Sequence, residues 1–186
     1  MKRTYVGIRG CYCGAMLLLV TVLSGCHSIQ TSSFKEGKPV FDPGEYFLGR
    51  THSWGIVESR SGNPREIITT RTQGRWIGDV FHFEQDIVFE KGKQQHRSWL
   101  IHRIDAHHYS ATGTGIVGTA RGEAYGNAFH LEFTLALASG NPLLRVHMSQ
   151  WMYLQRDGRT MINCDTLTKA GVVVARITEQ FTKDER

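Results

Sequence analysis

Residues 128–137 read Ala-Phe-His-Leu-Glu-Phe-Thr-Leu-Ala-Leu. Phe129, Leu131, Phe133, Leu135 and Leu137 occupy alternate positions, with His130, Glu132, Thr134 and Ala136 between them. That period of two belongs to a strand with one buried face, because a helix would scatter the five apolar side chains around its axis. Working upstream, Phe81, Phe83, Ile87 and Phe89 alternate with His82, Glu84 and Asp86. Lys91-Gly92-Lys93 then turns the chain into Arg97, Trp99, Ile101 and Arg103, which alternate with Ser98, Leu100, His102 and Ile104. Downstream, Ser139-Gly140-Asn141-Pro142 leads into Leu144, Val146 and Met148; Asp157-Gly158-Arg159 leads into a strand ending near Thr168; and Val172 to Phe181 forms the last. Pro43 and Glu45-Tyr46-Phe47-Leu48 predict a short turn of helix at the entrance of the domain.

About eight or nine strands joined by short turns make an all-β antiparallel meander. Such a sheet, apolar on one face, either packs as a sandwich or closes on itself, and closure removes the exposed edges. The expected fold is therefore a lipocalin-like barrel over residues 41–186, with room at its centre for side chains or one small ligand.

The N-terminus has a different character. Lys2, Arg3 and Arg9 precede the apolar stretch Ala15–Leu23, which is short of the ~20 residues that span a bilayer. Leu23-Ser24-Gly25-Cys26 follows, so residues 1–25 read as a secretory signal cleaved between Gly25 and Cys26. This tetrapeptide resembles the lipobox of bacterial lipoproteins, in which the cysteine thiol carries a diacylglyceryl group. Two or three acyl chains, at about 0.8 kcal/mol per buried CH₂, hold a protein stably on a membrane without spanning it. His27 stands where an Asp would favour inner-membrane retention, so the expected location is the outer membrane, facing the periplasm. Residues 26–40 read as a lipidated tether, with a coil-like reach of roughly 20 Å.

With 40% hydrophobic and 21% charged residues, the chain is neither disordered nor polytopic. Its formal charge is +5, but three of the 22 basic residues lie in the signal segment while all 17 acids lie beyond it. The processed chain thus carries about +2 and shows no basic stripe, which argues against a nucleic-acid partner. Of the four cysteines, Cys11 and Cys13 leave with the signal and Cys26 is the lipidation site, so Cys164 has no partner for a disulfide.

Catalytic signatures are weak. Gly113-Thr114-Gly115-Ile116-Val117-Gly118 matches G-x-G-x-x-G, but no helical run follows, and the glycines at 113, 115, 118, 122 and 126 suit bends in a curved sheet. No cofactor is expected. His82, Glu84 and Asp86 are the best metal candidates, yet neighbours on one strand face lie roughly 6.6 Å apart and would need help from another strand, such as His130 and Glu132. Hydrolase and NTPase signatures are absent, which leans against an enzyme. Arg97, Trp99 and Arg103 share a strand face. If it points inward, a guanidinium beside Trp99 and Phe83 would suit an acidic head group with an acyl chain.

A wider pattern joins these segments. Phe41-Asp42-Pro43, Glu45-Tyr46-Phe47, Gly49, Trp54-Gly55 and Arg60-Ser61-Gly62 open it; Gly74, Trp76, Gly78 and Arg97-Ser98-Trp99 continue it. Ala120, Gly122, Gly126-Asn127-Ala128 and Trp151-Met152-Tyr153-Leu154 complete it. Together they resemble a family of Gram-negative lipoproteins of unknown function, over residues 41–181. The resemblance implies a lipidated envelope protein with a calycin-like barrel, and gene neighbourhoods of lipid modification favour a lipid ligand. It supplies no catalytic residues. Ser149-Gln150 and Asn163-Cys164 depart from the family pattern, which has acidic residues at the first place and an Asn-Arg pair at the second. Three functions are thus in play: binding of a small apolar or amphipathic ligand such as a fatty acyl chain, an accessory role with a side-chain-filled barrel and a protein partner, and metal-dependent catalysis.

Overall fold

In the computed structural model, which describes residues 29–138 and 141–184, the alternating stretches run up and down as antiparallel strands. The signal segment, its Gly25–Cys26 junction and the lipidation site lie outside the described residues. The strands are β1 (Gly49–Ser59), β2 (Pro64–Ile77), β3 (Val80–Phe89), β4 (Gln94–Arg103), β5 (His108–Gly113), β6 (Ile116–Tyr125), β7 (Ala128–Ala136), β8 (Arg145–Leu154), β9 (Thr160–Lys169) and β10 (Val172–Lys183). Each pairs with its sequence neighbour, and β10 returns to β1, so the sheet is a closed barrel without a free edge. The expected barrel is present, with ten strands rather than eight or nine.

The strands that the alternation missed have unusual inner faces. In β1 and β2 the inward residues include Thr51, Ser53, Thr70 and Thr72, all buried. Their hydroxyls find partners across the pair, as between Thr51 Oγ1 and Thr72 Oγ1 at 2.6 Å, so no apolar period is needed to bury them. β5 and β6 turn Ala111, Ala120, Gly122 and Ala124 inward because the Phe129 ring of β7 already fills that space; a Cβ on Gly122 would lie 2.6 Å from it. A register shift between Val117 and Arg121, with Gly118 at positive φ, is the bend expected from the glycine series.

One end of the barrel is closed. Asp42 Oδ1 accepts from the backbone N–H groups of Gly44 (2.8 Å) and Glu45 (3.2 Å), capping the single-turn helix α1 (Pro43–Tyr46). The cap delivers Phe41, Tyr46 and Phe47 into the barrel, where Tyr46 packs edge-on against the other two, Phe41 edge-on against Phe129, and Phe47 edge-on against Phe181 and tilted against Phe83.

The segment expected to be a flexible tether is folded from Thr31 onward. A 3₁₀ turn, Thr31–Phe34, lies on the outer wall: Thr31 Oγ1 donates to Glu123, and the Phe34 ring packs on Trp151 and Tyr153. Phe34 and its wall partners bury an apolar surface that a polar-looking run gave no sign of. Gly126 permits this approach; with φ at +52°, a Cβ there would sit 1.8 Å from the Phe34 carbonyl oxygen. Gly126→Ala should therefore destabilise the protein by about 2 kcal/mol and loosen the N-terminal segment. Faster tryptic cleavage after Lys35 is the expected readout.

Candidate functional site

The interior is layered. The closed end is aromatic, and the open end holds a chamber of about 230 Å³ walled by Val57, Ile68, Ile87, Leu135, Leu167 and Ile177. Between them runs a polar belt. Ser53, Thr70, Gln85, Arg97, Gln150, Asp165 and Glu179 all point inward at mid-strand, with Asn163 just below.

Glu179 is the best-held member. Its Oε1 accepts from Ser53 Oγ at 2.7 Å and Thr70 Oγ1 at 2.9 Å, and its Oε2 accepts from Asn163 Nδ2 at 3.4 Å. Burial raises its pKa, while these bonds and the Arg97 charge hold it back. Asp165 is pushed up much further, first by burial and then by the neighbouring Glu179 charge. Hydrogen bonding from Asn163 and Gln150 and the Arg97 charge hold that rise back; the residue is only 5% exposed, and its Oδ1, like Asn163 Oδ1, has no hydrogen-bond partner among the described residues. Arg97 donates from Nη2 to Gln95 Oε1 at 3.2 Å. Burial lowers its pKa, and Asp165 and Glu179 act against that; a guanidinium nonetheless stays charged. Trp99 Nε1 donates to Gln85 Oε1 at 2.8 Å, fixing the indole under the chamber.

Of the residues proposed from sequence, Arg97 and Trp99 line the chamber. Phe83 does not. It sits one inward position below Gln85, in the aromatic layer, 4.7 Å from the Phe47 ring. Arg103 shares the inward phase of β4 but lies at the opposite, closed end, where Nη1 donates to Asp42 Oδ2 at 2.9 Å. Ten residues of strand separate the two ends, so a shared face did not mean a shared site.

His82, Glu84 and Asp86 stand on the outer wall of β3, whose neighbours are β2 and β4; His130 and Glu132 belong to distant β7. Glu84 and Asp86 instead meet His96 of β4, at 3.1 Å from Nε2 and 2.7 Å from Nδ1. Among the described residues no group of three His, Cys, Asp or Glu is arranged to hold a metal ion. A larger depression of about 1030 Å³ crosses the outside of β1–β3 as a surface groove, so the chamber inside the barrel is the better candidate site. Cys164 is exposed on the outer wall, opposite Trp151.

Sequence reasoning missed Asp165 and Glu179. The signal was available: each is an acid at an inward position, between Met161 and Leu167 in one strand and between Ile177 and Phe181 in the next. Both positions departing from the family pattern contribute a residue to the interior, because Gln150 and Asn163 point in while Ser149 and Cys164 point out.

A closed up-and-down barrel with an apolar chamber at one end defines a lipocalin-like protein. The family model described as "Protein of unknown function (DUF3833)" matches residues 20–183, and the chain belongs to that family. Its fold is similar to the S-type phycobiliprotein lyase CPES from Guillardia theta, with a TM-score of 0.60 and 7% identity over 85% of this chain and 99% of that one. At that identity the likeness is one of fold. No curated protein matches the sequence significantly.

Proposed function

We propose that this protein is a lipid-anchored, periplasm-facing lipoprotein of the outer membrane whose barrel takes up a small amphipathic ligand, with a fatty acyl chain as the class. The anchor is Cys26 within Leu23-Ser24-Gly25-Cys26. The observation that carries the binding reading is an apolar chamber floored by a buried carboxyl, Asp165, with an unpartnered oxygen. Buried polar atoms are rarely left unpaired, and each costs about 1–3 kcal/mol, so an unpaired one facing a chamber points to an occupant.

The belt also sets the ligand's protonation. Arg97 and Glu179 offset each other, and burial together with the Glu179 charge pushes Asp165 toward its protonated form. A protonated carboxyl both donates and accepts, so it pairs with a second protonated carboxyl without adding charge. A ligand carboxylate would leave uncompensated negative charge in a buried site. A fatty acid therefore enters with its proton. At about 30 Å³ per water-sized group the chamber holds roughly eight such groups, enough for a short acyl chain or the head-group end of a longer one.

Native mass spectrometry of the 27–186 fragment should show one lipid per barrel, displaceable by medium-chain fatty acids. Affinity should rise as pH falls from neutral. Leu135→Trp, which fills the chamber, should weaken binding at least tenfold. A fragment that retains nothing and displaces no fatty-acid probe would sink this reading in favour of the accessory role.

A further inference from the structure

We infer that the open end of the barrel docks on an anionic lipid bilayer, with its rim loops as the contact surface. The up-and-down order places the β1–β2, β3–β4, β5–β6, β7–β8 and β9–β10 turns at that end. Two properties coincide there.

The first is apolar exposure. Leu143 is 77% and Leu137 57% exposed in the β7–β8 connection, and Leu144, Val172 and Val174 are also exposed; the closed end exposes Ile104, Val40 and Ile77 as well, so apolar exposure supplies the means of insertion and charge selects the end. Such side chains are unfavourable in water and gain about 25 cal/mol per Å² on entering an apolar phase. The second is charge. Arg60 and Arg65 flank the first of these turns, Lys91 and Lys93 the second, Arg145 the fourth, and Lys169 and Arg176 the fifth; all are exposed. The acids at this end are Glu58, Glu66, Asp86 and Glu90. Seven bases against four acids leave the rim at +3, more than the whole processed chain carries. At the closed end Asp42, Asp79, Asp105 and Asp157 offset Arg75, Arg103, Arg156 and Arg159. A basic residue near an anionic membrane contributes about 1 kcal/mol, so the potential orients the barrel mouth-down and the rim leucines insert.

The position of the chamber fits this orientation. Phe89, Lys93 and Leu137 belong both to its lining and to the rim, so an acyl chain would pass between bilayer and barrel without crossing water. Docking requires neither the Cys26 anchor nor an occupied chamber, so it is tested apart from both.

The experiment is co-sedimentation of the 27–186 fragment with vesicles of phosphatidylethanolamine and phosphatidylglycerol, and with vesicles of phosphatidylcholine alone. Binding is expected to the first only, weakening with salt. Lys91→Glu with Arg145→Glu, neither of which lines the chamber, should reduce it at least 25-fold, and Leu143→Ser with Leu144→Ser should also reduce it. Arg75→Glu with Arg156→Glu, at the closed end, should leave it unchanged. Displacement of a fatty-acid probe without vesicles should survive in both rim variants, which separates failure of docking from failure of ligand binding. Equal binding to both vesicle types, no binding to either, or equal sensitivity at the closed end would overturn the inference.

Discussion

Arg97→Met is expected to destabilise the barrel by about 3 kcal/mol at pH 8 and by clearly less at pH 5. The reason is the belt. Arg97 is the basic member facing Asp165 and Glu179, and its charge lowers the pKa of both. Without it, burial and mutual repulsion push the two acids higher. Acids whose pKa is raised by folding bind more protons in the folded state than in the unfolded chain, so stability falls as pH rises above the unfolded value near 4. Below that value both acids are protonated in either state and the penalty disappears. Wild type and variant should therefore converge toward acid pH and diverge toward alkaline. Urea denaturation at the two pH values measures the gap, and Glu179→Gln added to Arg97→Met should recover more than half of the loss at pH 8. An equal loss at both pH values, unrescued by the second substitution, would mean that Arg97 acts through packing alone.

Phe41→Ala should cost about 4 kcal/mol, enough to leave a marginal protein. The ring is 1% exposed and meets Tyr46 and Phe129 edge-on at centroid distances of 5.5 and 6.1 Å. Strands surround it, so the vacated space cannot collapse easily. The backbone also takes part, since Phe41 N–H donates to the Gly126 carbonyl at 2.7 Å, which aligns the chain for the Asp42 cap. Because this layer lies below the belt, the folded fraction should still bind ligand with unchanged affinity. A drop in denaturation midpoint with unaltered probe binding is the expected pair of results. A variant that keeps its stability would mean that the end cap is held mainly by α1.

The fold was legible where one face is apolar and the other charged. Phe129 to Leu137 and Phe81 to Phe89 pointed to a sheet, and the removal of open edges favoured its closure over a sandwich. Strands with hydroxyls or glycines inside were harder to read, because Thr51, Ser53, Thr70 and Gly122 are buried through partners that only the neighbouring strand supplies. The site was half legible. Arg97 and Trp99 stood out as a cation beside an aromatic on an inward face. Asp165 and Glu179 did not, since an acid between apolar residues looks like an ordinary outward position until the register is known. Distance along the barrel axis was invisible too, which is why Arg103 and Phe83 were grouped with a chamber they do not reach.

The pairing of β1 with β10 sets the order in which this molecule can form. Ser53 Oγ donates to Glu179 across a separation of 126 residues, and the barrel has no closed form until that strand is available. Contacts so distant in sequence carry a large loop-closure entropy and slow the final step of folding. A partly folded chain would expose two unpaired edges until β10 docks on β1. The architecture thus delays its own completion: the seam that gives the finished wall its continuity also keeps the folding chain open until β10 reaches β1.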